Sequence, residues 1–254
     1  MPESLYDQIK HKDYSAQGAA AALGAPAAQS IRSLTADPDR EVRLLAFICL
    51  DIVNGPEAIA AAFDGLRDAD EQVRSRAVML LFNHPPKGQE RRLLAAFSAT
   101  KDHFIRSRLP MVAGRLAPDA SPRDWAALLP VDTNADVQHG LRLGLARMGD
   151  RPSREWFLRG LESAHGYELP PWLEDAEYLD AKWVLPGLLP LLDHTERARD
   201  VMPDDGRNRF LRACDLAAQV VVAITRAKVS FPLPRPTQLS PSEIEEVKRL
   251  ARQP

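Results

Sequence analysis

The sequence DPDREVR, from Asp37 to Arg43, returns as DADEQVR from Asp68 to Arg74. An apolar residue, here called the register residue, followed by Arg or Gln recurs at spacings of 31, 32 and 32 residues, as Val42-Arg43, Val73-Arg74, Ile105-Arg106 and Val137-Gln138. Prolines stand 13 to 15 residues after the register residues, at Pro56, Pro86, Pro118 and Pro152. A fixed period of this length is typical of repeat proteins. We therefore predict that each copy contains two helices joined by a turn.

The repeat pattern predicts one all-α domain, residues 1–254, with four parts. Residues 1–24 form an N-terminal cap, 25–150 hold four regular repeats, 151–228 hold degenerate repeats, and 229–254 form a proline-rich strap and a C-terminal helix. The predicted first helices are Ala27–Leu34, Pro56–Leu66, Gln89–Phe97 and Pro122–Leu129. The predicted second helices are Arg40–Val53, Asp70–Phe82, His103–Leu116 and Ala135–Met148. In these segments apolar residues recur three and four positions apart, as amphipathic helices require.

The segments Asp37–Arg43 and Asp68–Arg74 resemble the HEAT-repeat family, and their short period is most similar to its phycobilisome-lyase-like subgroup. The resemblance covers roughly residues 25 to 150. It implies an α-solenoid, a right-handed superhelix whose second helices line a concave face, with a ladder of Asp and Arg residues between neighbouring repeats. On this pattern the ladder residues are Asp37, Asp68, Asp132, Arg43, Arg74 and Arg106. Gln138 departs from the Arg position, and the third copy has Thr100 at the Asp position with Asp102 nearby. An anion-binding stripe is the alternative interpretation of these Arg residues.

Several irregularities interrupt the pattern. Pro110 in the middle of the third repeat's second helix predicts a kink, because proline removes one backbone hydrogen bond and clashes with the preceding turn. Beyond the fourth repeat the signature returns only at Asp193 and Arg199, which are again six residues apart and are predicted to continue the ladder. Pro203–Gly206 interrupts the expected second helix of the sixth unit, and Asn208–Ala227 predicts its displaced counterpart.

The fifth unit combines acidic and aromatic residues. Gly160–Ala181 carries six carboxylates and no Lys or Arg. Aromatic rings and carboxylates both bind guanidinium groups, so this insert predicts contact with a basic or Arg-rich protein partner. The candidate partner-binding residues are Trp172, Glu174, Asp175, Glu177 and Tyr178. The alternative is that these aromatic residues fill a gap in the stack.

The second helices offer another candidate surface. Positions two and five after each register residue are expected on the concave face. The candidates there are Phe47, Ser75, Val78, His139 and Arg142, together with Leu44 and Ser107. A protein partner would lie across these positions.

Three classes of function fit the sequence. A non-catalytic protein-interaction scaffold or adaptor is the interpretation that we favour. A lyase-like enzyme or enzyme subunit, related to the phycobilisome-lyase repeat proteins, is the first alternative. A nucleic-acid-binding protein, as in the HEAT-like alkylpurine glycosylases, is the second, and the formal net charge of −2 argues against it.

The remaining expectations concern chemistry and location. The six histidines are scattered without metal-binding spacing, and we find no catalytic motif, so we expect no enzyme activity, cofactor or metal. The two cysteines, Cys49 and Cys214, are expected as buried free thiols in a reducing compartment. The sequence shows no leader and no apolar run long enough to span a bilayer, so we expect a cytoplasmic protein, away from membranes and monomeric.

Overall fold

A computed structural model describes residues 4–117, 120–201 and 209–252. The chain divides into two compact units, Met1–Asp150 and Arg151–Pro254. The boundary falls where the sequence signature is lost. The described part is mostly helical, and none of its helices is long and apolar enough to cross a lipid bilayer.

The first unit begins with two short helices, α1 (Leu5–Lys10) and α2 (Ala16–Leu23). Four longer second helices follow, α4 (Arg40–Val53), α6 (Glu71–Asn83), α8 (His103–Gly114) and α10 (Ala135–Met148). The first helices are α3 (Ala28–Arg32), α5 (Pro56–Gly65), α7 (Glu90–Ala99) and α9 (Pro122–Ala126). The bounds of α4 and α10 coincide with the predicted ones. By contrast, α3 is flanked by 3₁₀ turns, and α9 ends three residues earlier than expected.

Each second helix begins at a polar cap. The N-cap residues are Asp39, Asp70, Asp102 and Asn134, and each side chain accepts a hydrogen bond from a backbone N–H of the first turn. These bonds satisfy donors that have no partner within the helix, and a cap of this kind typically stabilises a helix by about 1 kcal/mol. The caps therefore determine where the second helices start.

The core of the first unit lies along the second helices. Helix α6 packs against α4 on one side and α8 on the other, with α5 beside it, and α10 packs against α8. Register residues Val73, Ile105 and Val137 are fully buried. Each second helix packs against more than one neighbour. The apolar part of its circumference is therefore wider than the single apolar stripe of a surface helix.

Helices α8 and α10 approach each other through glycine. A Cβ atom built on Gly140 would lie 2.0 Å from the carbonyl oxygen of Ser107, and one built on Gly144 would lie 2.3 Å from that of Pro110. Backbone therefore contacts backbone along this pair. Helix α8 continues through Pro110 and ends at Gly114, two residues before the predicted end.

The second unit has helices α11 (Arg151–Ser163), α12 (Leu169–Leu179), α13 (Leu185–Leu188), α14 (Ala213–Thr225) and α15 (Pro241–Ala251). Between α13 and α14 lie two antiparallel strands, β1 (Arg197–Val201) and β2 (Arg209–Arg212). The prediction of a helix over Asn208–Ala227 is wrong for the first part of that range. Its first described residues form strand β2, and helix α14 begins only at Ala213. The predicted interruption at Pro203–Gly206 lies outside the described residues, as does the breaker Pro118.

A buried carboxylate attaches the C-terminal strap. Asp215 at the start of α14 is fully buried and accepts two hydrogen bonds from the guanidinium of Arg212, at 3.0 and 2.8 Å. The same carboxylate accepts the backbone N–H of Leu239 at 2.8 Å. Both a charge and backbone bonds compensate its burial, as a buried carboxylate requires. Farther along the strap, Arg235 and the Ser240 capping hydrogen bonds lower the pKa of Glu243 to about 2.

Candidate functional site

A repeated turn precedes each second helix of the first unit. A side-chain oxygen two residues before the N-cap accepts the backbone N–H of the N-cap residue, at 2.8 to 3.1 Å. The four accepting residues are Asp37, Asp68, Thr100 and Asp132. Short polar side chains favour this turn because they bond to nearby backbone. Thr100 therefore replaces Asp in the turn.

An ion-pair ladder joins successive repeats beside these turns. Each Arg that follows a register residue pairs with a carboxylate of the next repeat. The pairs are Arg43 with Asp68, Arg74 with Asp102, and Arg106 with Asp132. Arg43 and Arg74 also donate to backbone carbonyl groups of their own repeat's turn.

Three places in the ladder differ from a simple succession of Arg–Asp pairs. In the third repeat Asp102 serves both as N-cap and as the partner of Arg74, because the Thr100 hydroxyl carries no charge. At the fourth step the Gln138 side chain donates to the Asp132 carbonyl at 2.6 Å. At the start, Lys10 of α1 pairs with Asp37 and lowers the pKa of that carboxyl, against the opposing effect of burial.

The predicted continuation of the ladder at Asp193 and Arg199 is wrong. Asp193 pairs with Lys248 of α15 at 2.6 Å, and Arg199 pairs with Glu174 of α12 at 2.9 Å. Arg199 lies on the extended strand β1, so it does not keep the helical position that the arginines of the first unit occupy. The six-residue spacing was therefore coincidental there.

We expect Arg74→Gln to lower the free energy of unfolding by about 2 kcal/mol, because the part-buried carboxylate of Asp102 loses a charged hydrogen-bond partner. Glutamine at this position would retain a carbonyl contact of the kind that Gln138 makes. Arg76→Gln, at an exposed position of the same helix, is the control and should change stability by less than about 0.5 kcal/mol. Urea unfolding followed by circular dichroism measures both. Equal stability of the two variants would contradict a structural role for the ladder.

Two adjoining clefts lie next to the ladder. One, of about 510 Å³, lies between the C-terminal ends of α5 and α7. The other, of about 810 Å³, lies between α3 with its 3₁₀ turn and the end of α5. Asp64 and Arg67 line both. The clefts thus form one continuous surface, which we call the ladder clefts.

Positive charge dominates the ladder clefts once the ladder pairs are set aside. Of the lining residues, Arg43, Arg74, Asp37, Asp68 and Asp102 are occupied in the ladder. The remaining charged residues are Arg32, Arg67, Arg92, Lys101 and Asp64. Arg32 and Arg92 each lie 3.9 Å from Asp64, which is 71% exposed, so both pairs are long and solvated. Within the described residues, Arg67 and Lys101 form no side-chain ion pair.

The floor of the smaller cleft is apolar. The guanidinium of Arg92 lies over the ring of Phe63, 4.0 Å from its centroid. Leu66, Ala95 and Ala99 add to the lining. This surface could hold an anionic group at its rim and an apolar side chain at its floor.

The predicted concave residues divide into two groups. Ser75 and His139, at the position two after the register residue, are half-buried, as is Arg142. Phe47 and Val78, at the position five after, are 1% and 0% exposed, so the prediction that they bind a partner is wrong. The Phe47 ring occupies space that Gly65 leaves open, since a Cβ atom there would lie 2.4 Å from the ring.

Leu44 and Ser75, two of the half-buried candidates, line a shallow cleft with Met79. Ser107 donates its hydroxyl hydrogen bond to the carbonyl oxygen of Phe104 at 2.8 Å, within its own helix. Leu44, Ser75 and Ser107 are half-buried, so whether they bind a partner stays a prediction.

Residues of the acidic and aromatic insert pack against and pair with other residues of the second unit. Trp172 packs against α11, where Trp156 and Phe157 lie 5.3 and 5.7 Å from its ring, and a Cβ atom on Gly160 would lie 2.0 Å from it. The Glu174 carboxylate accepts from Arg199. Trp172 is half-buried and fills space between helices, as the alternative interpretation of the insert predicts, and its role in binding a partner stays a prediction.

The remaining insert residues differ in their exposure to solvent. Asp175 and Tyr178 are half-buried, and Glu177 is exposed. Reduced hydration raises the pKa of Glu177, Glu174 adds to the effect, and Arg199 opposes it. Carboxylates that repel each other in this way favour a cation nearby.

Reactive groups in the described residues are few. Cys49 and Cys214 are buried free thiols, and burial raises the pKa of Cys49 to about 11, so it stays protonated at neutral pH. One group of three side chains could hold a metal ion among the described residues: His165, His194 and Glu196. The sequence pattern did not reveal this group, because His165 stands far along the chain from His194 and Glu196 and the three residues match no metal-binding motif.

No protein-family model matches this chain, and no curated protein matches it.

Proposed function

We propose that the first unit is a short helical-repeat solenoid that acts as a protein-interaction adaptor, and that its ladder clefts bind an acidic segment of a protein partner. Support for the solenoid comes from the order of packing, in which α4, α6, α8 and α10 contact one another in sequence. The ladder repeats the same contact between neighbours.

The observation that carries this proposal is the excess of positive charge on cleft residues that take no part in the ladder pairs. Outside the ladder pairs, the clefts present four cations, Arg32, Arg67, Arg92 and Lys101, against the single carboxylate of Asp64. Complementary charge across an interface steers association and selects among partners. The clefts therefore favour an acidic segment, in contrast to the basic partner expected from the insert.

The apolar floor favours protein over nucleic acid as the occupant. The exposed Ala95 and Ala99, next to the largely buried Phe63 and Leu66, offer an apolar place for a side chain of a peptide. A nucleic acid backbone would need a longer cationic track, and its binding would weaken steeply with salt. The partner segment should thus combine Asp or Glu with an apolar anchor.

Peptide display gives an unbiased test. We would select a random peptide library on the immobilised full-length protein and sequence the enriched peptides. The expected result is enrichment of peptides that combine acidic and large apolar residues. Enrichment of basic peptides would contradict the charge argument, and retention of labelled single-stranded RNA in place of any peptide would support the nucleic-acid alternative.

A charge-matched pair of variants locates the binding. Arg67→Glu with Lys101→Glu should weaken the best selected peptide by about tenfold or more, because two cations of the clefts become repulsive. Arg76→Glu with Lys87→Glu changes the net charge equally at exposed positions outside the clefts and should leave affinity nearly unchanged. Fluorescence anisotropy measures both. An equal loss of peptide affinity in the two double variants would show that only the net charge of the protein matters. That result would contradict binding in the ladder clefts.

A further inference from the structure

We propose that His165, His194 and Glu196 form a binding site for a divalent transition-metal ion of the Zn²⁺ class. One ligand atom from each side chain lies within 4.8 Å of the other two. His165 stands in the turn after α11, and the other two precede β1. The chain thus brings two imidazoles and one carboxylate to a single point.

The distances suit metal coordination after small side-chain rotations. Ligand atoms about 2.0–2.1 Å from a tetrahedral Zn²⁺ lie about 3.4 Å from one another. His165 and Glu196 are free to rotate because their side chains are exposed, at 63% and 40%, and their ligand atoms already lie 3.8 Å apart. Their freedom allows the final approach without a change in the backbone.

Backbone hydrogen bonds position the segment that carries two of the ligands. Cys214 N–H donates to the His194 carbonyl at 2.9 Å, and Ala213 N–H donates to the Glu196 carbonyl at 3.0 Å. These bonds fix the segment on the first turn of α14. Since they use only backbone atoms, both side chains remain available.

A second set of contacts holds the His165 turn against β1. Gly166 N–H donates to Glu196 Oε1 at 3.1 Å and orients that carboxylate. The Tyr167 hydroxyl donates to Asp200 Oδ1 at 3.0 Å. Outer contacts of this kind orient metal ligands and strengthen binding. The two ligand-bearing segments are therefore joined before any ion arrives.

An ordinary ion pair explains only part of the cluster. His165 Nδ1 lies 3.8 Å from Glu196 Oε1, which is a long and exposed pair. That pair involves His165 alone and does not include the imidazole of His194. A divalent ion accepts two neutral imidazoles and a carboxylate together.

The donor set selects the class of metal. Imidazole nitrogen suits Zn²⁺, Ni²⁺ and Cu²⁺, whereas Ca²⁺ and Mg²⁺ prefer oxygen ligands alone. Three protein ligands leave a fourth position of a tetrahedral ion for water or for a donor from another molecule.

Isothermal titration of the tag-free, full-length protein with ZnCl₂, after treatment with EDTA, tests the site. We expect one Zn²⁺ per chain and no comparable binding of Ca²⁺. His194→Ala and Glu196→Gln should each weaken Zn²⁺ binding by at least about tenfold. Glu168→Gln, an exposed carboxylate of the same turn, and His103→Ala, an exposed histidine of the first unit, are the matched controls and should bind as the wild type does.

Melting curves in EDTA separate loss of ligand from loss of fold. Glu196→Gln retains an acceptor for Gly166 N–H, so its melting temperature without metal should equal that of the wild type. Zn²⁺ should then raise the melting temperature of the wild type and both controls but not of this variant. Wild-type Zn²⁺ affinity in Glu196→Gln, or far less than one ion bound per wild-type chain, would overturn the proposal.

Discussion

Gly140→Ala is expected to lower the free energy of unfolding by about 3 kcal/mol, although alanine favours helices over glycine by about 1 kcal/mol. The added Cβ would lie 2.0 Å from the Ser107 carbonyl oxygen, 2.7 Å from its carbon and 2.9 Å from its Cα. These are backbone atoms of α8, so no side-chain rotation relieves the overlap. Helices α8 and α10 must separate, and the contact at Gly144 is lost with them. Urea unfolding followed by far-ultraviolet circular dichroism measures the change.

Gly18→Ala is the matched control for this prediction. Gly18 lies within α2, is exposed, and a Cβ atom there would meet no atom within 4 Å. The same substitution should therefore stabilise the protein by about 0.5–1 kcal/mol through helix propensity. If both variants were stabilised alike, the close approach of α8 and α10 would be wrong.

Val73→Asp is expected to lower the free energy of unfolding by about 4 kcal/mol or more. Val73 is 0% exposed, and α6 packs against α4, α5 and α8 around it. The new carboxylate would lose its hydration without gaining a partner. Loss of the folded first unit at room temperature is the extreme form of this result, and a thermal melt detects either outcome.

Val131→Asp makes the same chemical change where water remains available. Val131 is 75% exposed, so the carboxylate stays hydrated and stability should change by less than about 0.5 kcal/mol. A melting temperature of Val73→Asp equal to that of Val131→Asp would show that the register residues do not face the core.

The regular part of the fold was predictable because its signals are local. The caps Asp39 and Asn134 set the starts of α4 and α10, and Gly149 with positive φ ends the latter. The four apolar register residues, which the sequence spacing identified, are all buried. Phe47 was misassigned because its burial depends on Gly65 of another helix, and a single helix's periodicity does not contain that information.

The second unit was predicted less well because its contacts are not local. The hairpin of β1 and β2 carries charged side chains and lacks a clear alternation, so its sequence gave no strand signal. Asp215 lies within the helix predicted over Asn208–Ala227, yet it binds both Arg212 and the backbone of Leu239. Burial of a carboxylate depends on partners that only the folded chain brings near.

The candidate sites show the same division. The ladder arginines stood out by their period, whereas the clefts beside them combine Arg32, Arg67, Arg92 and Lys101, which share no periodic position. The cluster of His165, His194 and Glu196 also lacks a motif in the sequence. A search for patterns in a sequence finds residues that recur at a fixed spacing. A site that forms once, from residues of separate turns, has no recurring spacing in the sequence.

The ladder also affects how the number of repeats in such a chain can change during evolution. Each internal step takes its donor from one segment and its acceptor from the next, as with Arg74 and Asp102. An in-frame duplication of residues 68–99 would insert one new acceptor and one new donor together, at Asp68 and Arg74. The inserted carboxylate would pair with the earlier arginine, and the inserted arginine with Asp102. Genetic duplication or deletion of such a segment can thus alter the number of repeats, and of clefts between them, without requiring a compensating substitution.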